Sequence, residues 1–132
     1  MMYMLDTNTC IFIMKKMPTV VTRLRAVQNS EVTVSSITLA ELEFGVSKSQ
    51  AYARNRNTLL AFSTLVNILP FDIVASAEYG NIRATLEKNG TPIGILDTLI
   101  AAHAKSHNFT LVTNNTREFQ RVDGLMLEDW LT

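Results

Sequence analysis

Four acidic residues, Asp6, Glu41, Asp97 and Glu118, fall at or just beyond expected junctions between strands and helices. Carboxylates gathered in one place repel one another, so either some protonate or a cation sits among them. A set of hard oxygens without thiolates or paired imidazoles suits Mg²⁺ or Mn²⁺. Such an ion lowers the pKa of bound water and clamps a phosphate, which is the chemistry of metal-assisted phosphodiester hydrolysis. Each acid also has a plainer role available. Asp6 and Asp97 can cap helix N-termini. Thr38-Leu39-Ala40-Glu41 fits the S/T-x-x-E capping box, which makes Glu41 structural. A cap can also face a site, so the two roles coexist.

The acids need strands and helices to bring them together. Tyr3-Met4-Leu5 reads as a buried strand ending at Asp6, and Thr7 to Lys15 as a helix. Pro18 suits the first turn of a second helix, running to about Gln28. The β-branched run Val32-Thr33-Val34 predicts a second strand. Ile37 to Lys48 follows as a helix with Ile37, Ala40 and Phe44 on one face. Ala51 to Val66 reads as a longer helix, and Asn67 to Phe71 as a short extended stretch holding Pro70. From Ile73 to Lys88, Ala75, Tyr79, Ile82 and Leu86 recur at helical spacing, and Asn89-Gly90 ends the helix. After a loop over Thr91 to Leu96, Asp97 opens a helix through about His107. Phe109 to Thr113 reads as a strand, with a short helix and an edge strand beyond. This alternation predicts an α/β fold with a central parallel sheet covered by helices on both faces. Ligands of such sheets bind beyond the carboxyl ends of the strands, where the four acids fall.

Composition narrows the class further. A chain of 132 residues with 47% apolar content suits one domain, spanning 1–132, with a real core. Lys plus Arg balance Asp plus Glu at 12 each, so the global basic excess of a simple nucleic-acid binder is absent. The basic residues are uneven, however. Lys15, Lys16, Arg23, Arg25, Lys48, Arg54 and Arg56 face only Glu31, Glu41 and Glu43 within residues 15–56, so a local basic surface is expected. Cys10 is the only cysteine, which fits a reducing compartment. Neither a signal peptide nor a membrane span is expected, which predicts a cytoplasmic protein.

The motifs themselves resemble a known family. Met4-Leu5-Asp6-Thr7-Asn8 resembles the first motif of PIN-domain nucleases, and Ser35-Ser36-Ile37-Thr38-Leu39-Ala40-Glu41-Leu42 with Gly45 the second. Gly94 to Ala104, holding Asp97, resembles the third, and Leu111 to Phe119 the last. Glu128-Asp129-Trp130 is similar to the ending of bacterial VapC toxins. The ordered set spans essentially the whole chain.

The resemblance implies a PIN-like three-layer α/β/α fold. It implies a Mg²⁺-dependent endoribonuclease, with Mn²⁺ as a substitute, acting on structured RNA such as tRNA. It also implies a homodimer held inactive by a cognate VapB antitoxin, with DNA reached only through that antitoxin. Asp6, Glu41 and Asp97 match the family's acidic positions. Asp6 and Asp97 would bind metal most directly, and Glu41 through water or by orienting the attacking water. Many relatives carry Asp where this chain has Asn115, and Glu118 is the compensating carboxylate, with Asn115 as a polar helper. Thr7, Asn8 and Thr113 would hydrogen-bond the carboxylates or the phosphate. The expected products carry 5′-phosphate and 3′-hydroxyl ends. Lys48, Arg54 and Arg56 are candidates for RNA backbone contacts.

Other signals point elsewhere or nowhere. His103 and His107 share a helix face, but Ala104 stands where a zinc hydrolase helix needs Glu, so His103 is expected to be a packed, hydrogen-bonded residue. Trp130 reads as a core plug. Cys10 has no base beside it. Asp6-Thr7-Asn8-Thr9 partly matches the D-x-D-x-T pattern of haloacid-dehalogenase-type phosphatases, with Asp6 as covalent nucleophile, although Asn8 replaces the second Asp. A catalytically silent PIN-fold binding module is the other alternative.

Overall fold

The computed structural model describes residues 1–132, in which short strands alternate with helices. β1 (Tyr3–Leu5) leads into α1 (Thr7–Met14) and α2 (Pro18–Arg25). β2 (Val32–Ser35) leads into α3 (Ser36–Lys48) and α4 (Tyr52–Ser63). β3 (Asn67–Leu69) ends before Pro70 and is followed by α5 (Ile73–Lys88) and α6 (Ile95–Ser106). β4 (Thr110–Val112), α7 (Thr116–Phe119) and β5 (Met126–Glu128) complete the chain. All strand pairs are parallel, in the order β3-β2-β1-β4-β5. This is the α/β architecture that the alternation predicts.

Side-chain alternation along the strands divides the core between the two faces of the sheet. Leu5, Val34 and Val112 pack with Cys10, Ile13, Val20, Leu42, Leu59 and Trp130. Their neighbours Met4 and Leu111 pack with Ile82, Leu86, Ile100 and Phe119. Helices α1 to α4 therefore cover one face, and α5 and α6 the other. Trp130 is the core plug that the sequence predicts: it is buried, meets the Tyr3 ring edge-on at 5.4 Å, and donates from Nε1 to Glu128 at 2.8 Å.

Several boundaries differ from expectation. α2 stops at Arg25, because Gln28 instead caps a 3₁₀ turn at Asn29–Glu31 whose Glu31 side chain returns to the Gln28 N–H. α4 is shorter than Ala51 to Val66. In α3 the buried face is Thr38, Leu42 and Val46, whereas Phe44 is 65% exposed. The Ile37-Ala40-Phe44 stripe is thus not the core face, because the polar Thr38 turns inward. α5 ends as expected: Gly90 has φ +71°, Gly90 N–H donates to Glu87 O, and Thr91 N–H donates to Leu86 O. This is the Schellman arrangement that glycine makes accessible. No helix is long and apolar enough to cross a membrane.

Candidate metal and RNA site

The strand register aligns the residues just past the strands. Leu5 pairs with Val112, and Val112 with Glu128. One residue further, Asp6 N–H donates to Val112 O at 3.0 Å and Thr113 N–H to Glu128 O at 2.9 Å. Asp6, Thr113 and Asp129 therefore follow three adjacent strands at the carboxyl edge of the sheet. Along the chain Asp129 is visible only as part of the terminal Glu128-Asp129-Trp130 motif. Its place at this edge, two strands from Asp6 with Thr113 between them, depends on the parallel pairing of β4 and β5, which carries almost no signal along the chain.

Asp6 is the N-cap of α1, as expected. Its Oδ1 accepts from Thr9 N–H at 2.8 Å, and the residue is 4% exposed. Burial raises its pKa, hydrogen bonds from Thr113 and Thr9 lower it, and the charge of Asp129 raises it again. A buried carboxylate with one oxygen committed to its own helix is poorly placed as a covalent nucleophile, which weighs against the phosphatase alternative.

Asp97 is not a cap. α6 begins two residues earlier, at Ile95 behind Gly94, so Asp97 occupies the third helical position and its carboxylate is left for other work. Its pKa is pushed up to about 6, first by burial, then by the charges of Asp6, Glu118 and Glu41. Three of the predicted acids thus act on the fourth.

Glu41 does not belong to a capping box either. α3 is capped by Ser35, whose Oγ accepts from Ile37 N–H at 3.1 Å, so Glu41 lies in the second turn. Its Oε1 instead accepts from Thr7 Oγ1 at 2.7 Å. Glu118 Oε2 accepts from Asn115 Nδ2 at 2.9 Å, while Asn115 N–H donates to Thr113 Oγ1 at 2.9 Å. Thr7 and Asn115 thus each hold a carboxylate of the edge, and Thr113 holds the backbone of Asn115. Asn8 is exposed, and its side chain makes no hydrogen bond within the chain.

The donor chemistry fits a hard divalent cation. Asp97 is desolvated among three negative neighbours. The ion pairs of the chain lie elsewhere, at Glu31, Glu128, Glu43, Glu87, Glu78 and Asp72. The cluster is looser than the sequence reading expected, because no three of these side chains stand close enough together to hold an ion as they are placed.

The basic candidates separate. Arg56 is paired with Glu43 at 2.6 Å and lies over the Tyr52 ring, and Lys48 lies over Phe44. Arg54 remains, lining a groove of about 470 Å³ between α1, α3 and α4 that is also lined by Glu41 and Lys15. His103 is fully buried, with Nδ1 2.7 Å from Ser35 Oγ, as a packed, hydrogen-bonded residue should be. Cys10 is fully buried and its thiol pKa is raised by that burial, which makes it inert.

Known proteins resemble this chain in sequence and fold. Residues 3–125 match the PIN domain family. The chain is 44% identical to the tRNA(fMet)-specific endonuclease VapC of Shigella flexneri over 97% of both chains. It superposes on VapBC2 from Rickettsia felis, bound to a DNA fragment from its promoter, with a TM-score of 0.92 at 41% identity, covering 98% of this chain and 99% of the other. VapBC-5 from Mycobacterium tuberculosis, a member of the VapBC family of toxin-antitoxin systems, gives a TM-score of 0.63 at 29% identity over 74% of this chain and 79% of the other. The chain belongs to the PIN domain family and, within it, to the VapC ribonucleases.

Proposed function

We propose that the chain is the toxin of a type II toxin–antitoxin pair, an endoribonuclease that hydrolyses RNA phosphodiester bonds with a divalent cation, Mg²⁺ or in its place Mn²⁺. The observation that carries this reading is the carboxyl edge of the sheet, where Asp6 follows β1, Glu41 is held by Thr7, and half-buried Asp97 feels the charges of Asp6, Glu118 and Glu41. The target named for the Shigella relative supports structured RNA such as tRNA as the substrate class. The VapBC complexes support a cognate VapB-type antitoxin as the inhibiting partner. A homodimer is part of the same proposal.

Asp6, Asp97 and Glu41 would hold the cation, and Glu118 adds negative charge beside Asp97. When bound, the cation acidifies water and neutralises charge on the phosphate. The chain's own groups do the rest by positioning. Thr7 occupies one oxygen of Glu41, which leaves Oε2 to orient the attacking water. Thr9 N–H fixes the Asp6 rotamer. Asn115 holds Glu118, and Thr113 links that pair to the Asp6 strand. Fixed dipoles of this kind lower the reorganisation needed as charge develops.

The test is cleavage of purified tRNA and total RNA with Mg²⁺, with EDTA, and by the Asp97→Asn variant. Wild-type protein should cut only when the metal is present, leaving 5′-phosphate ends, and the variant should be inactive. Failure of the wild type with Mg²⁺ to cut any RNA sinks the proposal. Expression without antitoxin should arrest growth, and Asp6→Ala should relieve the arrest. Equal arrest from both proteins removes Asp6 from the site.

A further inference from the structure

The groove between α1, α3 and α4 carries an inference that rests on the nuclease reading and extends it. Its floor is apolar, formed by Leu42, Val46 and Leu59. Lys15 and Arg54 stand on its walls, both exposed, and neither takes part in an ion pair of the chain. Glu41 belongs both to this groove and to the acidic edge, so the two are continuous. Gly45, one helical turn after Glu41, also lines the groove, and a Cβ there would meet nothing within 4 Å, so a side chain at this position has room to enter it. The volume of about 470 Å³ falls in the range of roughly 300–1,000 Å³ typical of ligand sites.

We infer that this groove is a nucleotide subsite for single-stranded RNA next to the scissile phosphate. An unstacked base lies on the apolar floor, and Lys15 and Arg54 take the flanking phosphate. Charge complementarity favours this occupant. The groove joins two unpaired cations to an acidic edge, which matches a polyanion that runs from a backbone contact to a metal-dependent cutting site. An unpaired nucleotide exposes both an apolar face and a phosphate, and single-stranded segments are where RNA offers its bases. Lys48 and Arg56, which the sequence places nearby, are engaged with Phe44 and Glu43 instead.

The experiment measures binding of a fluorescein-labelled single-stranded RNA decamer to the full chain by anisotropy, in EDTA to prevent cleavage and over a range of salt. Lys15→Gln and Arg54→Gln should each weaken binding several-fold and lower the slope of log affinity against log salt by about 0.7, the value for one lost single-strand phosphate contact. Gly45→Leu should weaken binding about 10-fold at an unchanged slope, because it fills the floor without removing charge. Mn²⁺ affinity and the thermal midpoint should stay at wild-type values in all three. Decamer affinities within twofold of wild type in all three variants overturn the inference. So does a Gly45→Leu protein that binds RNA normally but no longer co-purifies with its co-expressed antitoxin, since the groove then belongs to a protein partner. Either result, beside normal Mg²⁺-dependent RNA cutting by the wild type, leaves the nuclease reading intact.

Discussion

Asn115 donates from Nδ2 to Glu118 Oε2 at 2.9 Å, so the fourth position of the acidic edge is an amide–carboxylate pair rather than a second aspartate. The neutral amide adds no charge beside Asp97 and holds Glu118 in one rotamer. Asn115→Ala and Glu118→Ala should therefore each lower kcat, and the double variant should be no slower than Glu118→Ala alone. This non-additivity is the mark of two residues acting as a unit. Strictly additive losses in single-turnover cleavage would show that Asn115 acts elsewhere.

Thr7 gives a second test of positioning. Its hydroxyl donates to Glu41 at 2.7 Å across 34 residues of chain, and a hydrogen bond to a charged group is worth about 1.5–3 kcal/mol. Thr7→Val keeps the shape and removes the donor. Cleavage should fall by about 10-fold or more with RNA affinity unchanged, and Thr7→Ser should restore most of the rate. A Thr7→Val enzyme with wild-type kcat contradicts the role given to Glu41.

The pKa of Asp97 links the site to stability. Folding raises it from the ordinary 3.8 to about 6, so the unfolded chain loses this proton more readily than the folded one. The metal-free protein is therefore spared the cost below about pH 4 and bears it fully above about pH 6. Asp97→Asn should be more stable than wild type at pH 7.5 without metal, by about 1 kcal/mol once solvent screening of this half-buried group is counted, and the gap should close near pH 4. Mn²⁺ should raise the thermal midpoint of wild type more than that of the variant. Parallel melting curves for the two proteins across pH, with no convergence, contradict this assignment.

His103 predicts a pH effect of opposite sign. Burial lowers its pKa from the ordinary 6.5, with the charge of His107 lowering it further and Asp72 opposing. The unfolded chain takes up this proton first as pH falls, so stability is lost below about pH 6.5. His103→Gln in the Asp97→Asn background, which removes the competing effect, should flatten the acid side of the stability profile. An unchanged acid limb assigns the loss to other groups.

Much of the molecule is legible along the chain. The strand-to-helix alternation, the Asp6 cap, the Asn89-Gly90 stop and the buried Trp130 depend on local propensity or strong apolar contrast, which neighbours in sequence encode. The ordered motifs were enough to select Asp6, Glu41, Asp97 and Glu118 as candidates. Only the tertiary structure separated capping from availability. Ser35 and Gly94 take the helix starts and so leave the Glu41 and Asp97 carboxylates out of the caps, a matter of one or two residues that local patterns do not resolve. Parallel register likewise decided that Asp129 joins Asp6 and Thr113 at one edge of the sheet, and helix packing decided that Arg54 and Lys15 share a groove while Arg56 is spent on Glu43. These are contacts between residues far apart in the chain. Spacing in sequence carries the chemistry of a side chain, but the partner that occupies or frees it is set by the fold.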